Sequence, residues 1–439
     1  MSIPGEHDDS VQNQPGIRDN EQEMEMVNHD DFWSRKQSAA VLKHAVLGNY
    51  LTPFVAMTAG ERSDYRAWYV DAYAGPGEYA AEDGEKEGQP GSPIVALGTA
   101  RSLAEKTPPR DLQCVFIEQD PAHAQTLSAV VQRSAARRKA RVIQGAAQSE
   151  LTGVIAAMGK DPALTFLDPY GTALPYSLMR DVILGRDAKA NEVLLNLNIT
   201  TLWRIGGILG SGRKLTAADQ KTVDLLDVFL GESSWRDVFL STFRRGVPGS
   251  AATAALAVAE HFRDCVKRDT GYESFAIDVR KAPGHAPIFQ LTLFYRSGYA
   301  AYKFADAASH GHEQWREFNM RTEARKNGVL FADALLAEDF SEESFAAEFK
   351  TTEDKLHLDL VRTIEANIRD LMLTRTRVAL NSDADIKAVY GEALGIGREK
   401  HLRAAWDSLA KQGVVQPRVK SAKMHHARIE RFGTAPALR

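Results

Sequence analysis

Three short stretches of this chain carry side chains suited to holding a charged small molecule and acting on a second one. Asp71-Ala-Tyr-Ala-Gly-Pro-Gly77 follows the apolar pair Tyr69-Val70 and combines a strand-end carboxylate with two glycines. Gly75 and Gly77 let the backbone turn sharply and approach a ligand that a side chain would exclude. Cys114-Val-Phe-Ile-Glu118 ends in a second carboxylate, suited to accept both hydroxyls of a ribose, and Asp168-Pro-Tyr-Gly171 brings a third. An aspartate can orient a weak nucleophile such as an exocyclic amine, whose lone pair is delocalised, while a nearby aromatic ring stacks on the base that carries it.

The elements that must position these groups follow the order of a doubly wound α/β sheet. The stretch before Asp71 reads as the first strand, Cys114–Glu118 as the second, Arg141–Gln144 as the third and the run into Asp168 as the fourth. Asn191–Asn198 reads as a buried fifth strand, and residues 273–279 and 288–295 as a final hairpin around Ala282-Pro-Gly-His-Ala-Pro287. A mainly helical insertion over about 201–270 separates the fifth strand from the hairpin, and a helix over about 299–308 closes the domain. A dinucleotide site places its ribose-binding acid about 20 residues after the fingerprint. Glu118 lies 41 residues beyond Gly77, which favours an S-adenosylmethionine (SAM) site over a dehydrogenase site. On spacing alone Glu118 is equally a solvated strand end, though the ordered set of motifs favours function; Asp168-Pro169 could also merely end a strand in a turn, but the functional reading is preferred.

Beyond these patterns, Leu42-Lys-His44, Asp71 to Tyr79, Gly91-Ser-Pro93, Glu118 and Asp168-Pro-Tyr170 resemble the bacterial adenine-N6 methyltransferase of large-subunit ribosomal RNA over the first half of the chain. Over most of its length the chain is similar to the three-Cys-motif partner proteins, a methyltransferase-like family with the same Asp-Pro-aromatic-Gly motif and a long carboxyl-terminal extension. The resemblance implies a class I SAM-dependent methyltransferase fold, Rossmann-like and mostly parallel. It implies cofactor contacts from His44, Asp71, Tyr73, Ala74, Gly75, Gly77, Ser92, Glu118 and the Gln144-Gly145-Ala146 turn, with Asp168, Pro169 and Tyr170 as the catalytic motif. It also implies nucleic acid and a three-Cys-motif protein as partners. Two departures stand out: Gln144-Gly-Ala-Ala-Gln148 replaces an Asp-Gly pair, leaving a backbone carbonyl or Gln148 for the adenine amine, and the catalytic motif lacks one proline of Asp-Pro-Pro-Tyr. The alternative these departures favour is a non-catalytic adaptor on a methyltransferase fold. Without the resemblance, His44 reads as a surface or capping residue, and Lys43 as a solvated cation by default that could also reach the cofactor carboxylate or a substrate phosphate.

Composition sets the outer bounds. At 439 residues and 44% hydrophobic content the chain can bury a large core across two or three domains. Cys114 and Cys265 are isolated, so the sequence implies neither a disulfide framework nor a metal site, and a reducing cytoplasm is expected. No run suggests a membrane span. Residues 1–31 hold nine acids against Arg18 and read as a disordered acidic tail; 32–310 read as the methyltransferase-like domain and 311–380 as a helical linker. Residues 381–439 read as a basic, winged-helix-like module with Trp406 and Leu409 inward and Arg398, Lys400 and Arg403 available to nucleic acid or a protein partner.

Overall fold

A computed structural model describes residues 36–58, 66–80, 88–188, 190–331, 342–419 and 423–433. The acidic stretch 1–31, Lys420 and Arg439 lie outside the described residues. Residues 37–78 and 90–439 gather into one compact unit, and residues 1–36 and 79–89 into another. Within the smaller unit Tyr79 N donates to Gln89 O at 2.9 Å.

In the larger unit, helix α1 (Ser38–Thr58) precedes β1 (Arg66–Asp71), α2 (Ser92–Ala104), β2 (Asp111–Glu118), α3 (Pro121–Arg133), β3 (Ala140–Gln144), α4 (Ala147–Ala157) and β4 (Ala163–Leu167). A π-helical stretch (Leu178–Leu184) leads to β5 (Asn191–Asn198). Helices α5 (Ile199–Gly210), α6 (Ala217–Leu230), α7 (Trp235–Thr242) and α8 (Ser250–Thr270) then intervene before the hairpin β6 (Glu273–Arg280) and β7 (Pro287–Tyr295). The sheet order is β3-β2-β1-β4-β5-β7-β6, with the first five strands parallel and β7 antiparallel to both neighbours. This is the class I SAM-dependent methyltransferase fold, with the helical insertion between β5 and β6.

Alternation along the strands divides the core into two layers. Tyr69, Phe116, Leu164, Phe166 and Leu194 face α1, α2, α3 and the helix that follows the hairpin. Val70, Val115, Ile117, Leu167, Val193 and Leu195 face α4, the π-helical stretch and α5–α8. Because both faces are covered, strands such as Val-Leu-Leu-Asn-Leu are apolar almost throughout, the pattern of parallel strands under helices. Chain order reverses between β1 and β4, so the carboxyl ends of those two strands border the crevice where such sheets bind ligands.

The helix expected to close the domain near residue 308 continues without a break as α9 (Gly298–Phe331), so the boundary drawn at 310 falls inside one helix. Beyond it, α10 (Glu342–Thr374), β8 (Arg377–Ala379), α11 (Asp383–Tyr390), α12 (Glu399–Lys411) and β9 (Arg428–Glu430) enclose a separate core. Its members include Ile364, Ile368, Val389, Leu402, Trp406, Leu409 and Ile429, and Tyr302 of α9 joins them. Strands β8 and β9 pair antiparallel, and a bridge from Val415 to Arg431 extends this small sheet.

Candidate active site

The glycine turn after β1 requires its glycines. Gly75 and Gly77 have φ of 62° and 89°, a region that side chains disfavour. A Cβ on Gly77 would also lie 2.9 Å from Leu127 Cδ1, and one on Gly91 2.7 Å from the Gly77 carbonyl oxygen. Gly91 N donates to Gly77 O at 2.9 Å, which ties the start of α2 to the turn.

Beneath this turn lies Asp71, fully enclosed. Its carboxylate accepts from Tyr69 Oη at 3.1 Å and from Tyr73 N at 3.3 Å, and the Ser92 hydroxyl bonds to it as well. Burial raises its carboxyl to about 7, partly offset by those donors. Asp71 and Ser92, expected as cofactor contacts, bond to each other, and Asp71 also holds the turn through Tyr73 N. Glu118 is the acid at the ligand side. Its Oε2 accepts from Gly75 N at 2.8 Å and its Oε1 from Asp120 N at 2.7 Å. Each carboxylate oxygen keeps a second lone pair, so two further donors can be received. Gly145 N donates to Glu118 O at 2.9 Å, placing Gln144-Gly145-Ala146 beside this acid. The Gln148 amide nitrogen donates to the Ala173 carbonyl, and its oxygen is the end that an adenine amine would use.

Across the crevice, Asp168 follows the last residue of β4. Lys43 Nζ reaches its Oδ2 at 2.7 Å and Asn196 Nδ2 its Oδ1 at 2.7 Å. Lys43, expected to be solvated, is buried, and its ammonium lies 5.1 Å from the centre of the Phe289 ring. The buried His44 follows it on α1. Asn196 Nδ2 must face the carboxylate, since an ionised carboxylate only accepts hydrogen bonds. This directs Asn196 Oδ1 elsewhere, and that buried oxygen has no hydrogen-bond partner among the described residues. The same holds for the hydroxyl of Tyr73, whose pKa is raised by burial and then by the negative charge of Asp168. Buried polar atoms without partners are uncommon and call for an explanation, and a ligand is one. Pro169 is buried, while Tyr170 is 52% exposed.

The structure thus brings His44, Asp71, Tyr73, Gly75, Gly77, Ser92, Glu118, Gln144 and Asp168 to one end of the sheet. Ala74, whose N donates to Ile117 O at 3.0 Å, sits in the same turn. Sequence reading missed Asn196 and Phe289 and assigned Lys43 to solvent. The one signal for Asn196 was a polar residue inside an otherwise apolar fifth strand.

A second polar cluster was also missed. Glu232, His261 and Cys265 place their donor atoms together in the helical insertion, although the sequence shows Cys265 as isolated. In the carboxyl-terminal module Trp406 and Leu409 are buried as expected. Arg398 is not available to a nucleic acid: its guanidinium pairs with Glu313 of α9 at 2.7 Å. Arg403 is exposed and paired with Glu399, and Lys400 is exposed.

No family model and no curated protein matches this chain. Among solved structures, an O-methyltransferase of tomaymycin synthesis from Streptomyces achromogenes, in complex with SAM, is 12% identical. That match covers 56% of this chain and 78% of the other, at a TM-score of 0.31. An O-methyltransferase from Bacillus cereus is 11% identical over 57% of this chain and 80% of the other, also at 0.31. An RNA methyltransferase from Salinibacter ruber with bound S-adenosyl-L-homocysteine is 10% identical over 34% of this chain and 74% of the other, at 0.21. No helix among the described residues is long and apolar enough to cross a membrane.

Proposed function

We propose that the chain is a SAM-dependent methyltransferase acting on a nucleic-acid base, with an exocyclic amine such as adenine N6 as the acceptor. The observation that carries this reading is the pair of partnerless buried oxygens, Tyr73 Oη and Asn196 Oδ1, grouped with Asp168 at the crevice of the sheet. The residues on the other side fit the cofactor. At Gly77, Gly91 and Gly145 the chain packs too tightly for a side chain, since a Cβ would lie 2.9, 2.7 and 2.7 Å from Leu127, the Gly77 carbonyl and Glu150, and Glu118 offers two acceptor positions for ribose hydroxyls. SAM, held there by Glu118, the Gly75–Gly77 turn, His44 and the 144–146 turn, would supply an electrophilic methyl group.

The remaining work falls to the chain's own side chains. Asp168 is held from two sides, by Lys43 and Asn196, so it does not swing freely to meet a substrate. Instead it fixes Asn196 Nδ2, and the buried Oδ1, without a partner among the described residues, is the acceptor for one hydrogen of the incoming amine. Drawing on that hydrogen would direct the nitrogen lone pair toward the methyl group, and the proton the nitrogen sheds on gaining it would pass to solvent as S-adenosylhomocysteine leaves. Lys43 holds Asp168 Oδ2, and Phe289 closes the ammonium off from solvent on one side. The exposed ring of Tyr170 offers a stacking surface for the base. The exposed Lys400 and Arg403 on α12 offer phosphate contacts.

A second reading has its own observation. With both Asp168 oxygens engaged by protein donors, the same arrangement serves a non-catalytic adaptor that binds a three-Cys-motif protein. The two readings separate in one experiment. Calorimetric titration with SAM, followed by incubation of labelled SAM with RNA, DNA and protein pools, should give saturable binding and label in nucleic acid. Binding without transfer to any pool, unchanged by Asp168→Asn, would remove the enzymatic reading.

A further inference from the structure

The cluster in the helical insertion has no part in the chemistry just described. Helix α8 presents His261 and Cys265 four residues apart, one turn along the same face. The connection from α6 to α7 supplies Glu232 and Ser234. That connection leaves α6 through Gly231, at φ 86°, where a Cβ would lie 2.1 Å from the Tyr176 ring, so the turn admits no other residue without rearrangement. Glu232 Oε1 lies 3.0 Å from His261 Nε2 and 2.8 Å from Cys265 Sγ, and the thiol and imidazole are 3.6 Å apart. Ser234 Oγ stands 2.6 Å from Glu232 Oε1 and 2.7 Å from His261 Nε2.

We propose that Glu232 Oε1, His261 Nε2 and Cys265 Sγ bind one zinc-type divalent cation that staples the α6–α7 connection to α8. Ligands at bond lengths of about 2.0–2.3 Å around a tetrahedral zinc stand roughly 3.3–3.7 Å apart. The three donor atoms already approximate one face of such a tetrahedron, and an outward movement of under about 1 Å completes it. Ser234 sits beside the fourth corner. One nitrogen, one oxygen and one sulfur donor select zinc over magnesium or calcium, which prefer oxygen alone. Binding takes the Cys265 proton to solvent, so the carboxylate and thiolate charges balance the ion.

Arg268 does not block this site. Its Nη2 lies 3.3 Å from Glu232 Oε2, the oxygen turned away from the cluster, and its Nη1 3.6 Å from Cys265 Sγ. From there it can donate to the outer sides of two ligands, the place that second-sphere groups occupy around metal sites. The bland competitor is a hydrogen-bonded group without metal, in which Glu232 accepts from thiol, hydroxyl, imidazole and guanidinium. Burial and the Glu232 charge push the Cys265 thiol up to about 11, so it is not built as a nucleophile.

The test uses the full-length chain after chelator treatment. Titration with cobalt(II) should give one equivalent of binding and a thiolate-to-cobalt charge-transfer absorption. Cys114→Ala should keep the band, and Cys265→Ala should abolish it. Glu232→Gln and His261→Ala should each weaken zinc affinity at least tenfold. Should Cys265→Ala fail to fold, the unmodified chain still decides the matter. Zinc should raise its melting temperature, and the rise should be lost in Glu232→Gln. Absence of the band, persistence of the band without Cys265, or an unchanged melting temperature would each show a hydrogen-bonded cluster only.

Discussion

The two sides of the crevice are built differently. On the β1-β2-β3 side the site is mostly backbone: two left-handed glycines, a strand-end glutamate that accepts from main-chain N–H groups, and a third turn tied to it. On the β4-β5-β7 side it is mostly side chain. Lys43 comes from α1, Asp168 from the end of β4, Asn196 from β5 and Phe289 from β7, residues widely separated along the chain. A backbone cradle tolerates few changes at its glycines and many around them. A side-chain cluster depends on each member's partner. The difference teaches where cofactor binding and methyl transfer should come apart.

The largest effect is expected on the backbone side. Gly77→Val combines a left-handed φ with a contact on Leu127, a strain on the order of 1–3 kcal/mol before any clash is counted. It should abolish SAM binding measured by calorimetry. Near-normal binding would mean the turn does not hold the cofactor. Next, Lys43→Met leaves the Asp168 carboxylate without its cation. Methyl transfer should fall about 100-fold while SAM affinity changes less than about threefold, with a stability loss of roughly 3 kcal/mol by chemical denaturation. Equal losses of binding and transfer would erase the contrast between the two sides.

Helix α1 offers a sharper control. Two turns beyond Lys43, about 10 Å along the axis, Tyr50 Oη donates to Glu192 Oε2 at 2.6 Å, with both groups buried in the core. Burial raises the Glu192 carboxyl from 4.5 to about 7. The unfolded chain therefore loses this proton at lower pH than the folded one, and stability falls as pH rises from about 4.5 to about 7. Glu192→Gln should remove that slope, gaining roughly 2–3 kcal/mol relative to the parent between pH 5 and pH 8 in urea titrations. Methyl transfer by the folded protein should be unchanged. A parallel loss of transfer would place Glu192 in the site. The smallest effect belongs to the carboxyl-terminal module: Lys400→Ala should weaken nucleic-acid binding a few-fold and lower the salt dependence of log K by about one unit. An unchanged slope would direct that surface to a protein partner.

How far each side was legible follows from the same contrast. Gly75, Gly77 and Glu118 could be read directly, because a glycine between apolar strands and an acid at a strand end carry their constraints in their own residue types. Asn191–Asn198 and the final hairpin were also visible, as apolar strands bounded by turn residues. Asn196 and Lys43 could not be assigned, because a polar residue in a strand or helix states no partner. Asp71 and Ser92 were legible as polar residues at the turn, but their bond to each other was not. The boundary expected at 310 falls inside α9, whose first turns already pack on both cores, Phe304 and Ala308 on one and Tyr302 on the other, so no break in the helix marks the passage between them.

Local periodicity, turn chemistry and strand-end acids were enough for the sequence alone to determine the order of strands and helices, the glycine turn and the acid facing it. Only the tertiary structure decided that Lys43 and Asn196 engage both oxygens of Asp168, and that Glu232 meets His261 and Cys265. The physical reason is range. Backbone preferences act over a few residues and leave a mark at each one, whereas an ion pair or a set of donor atoms exists only once distant segments have packed.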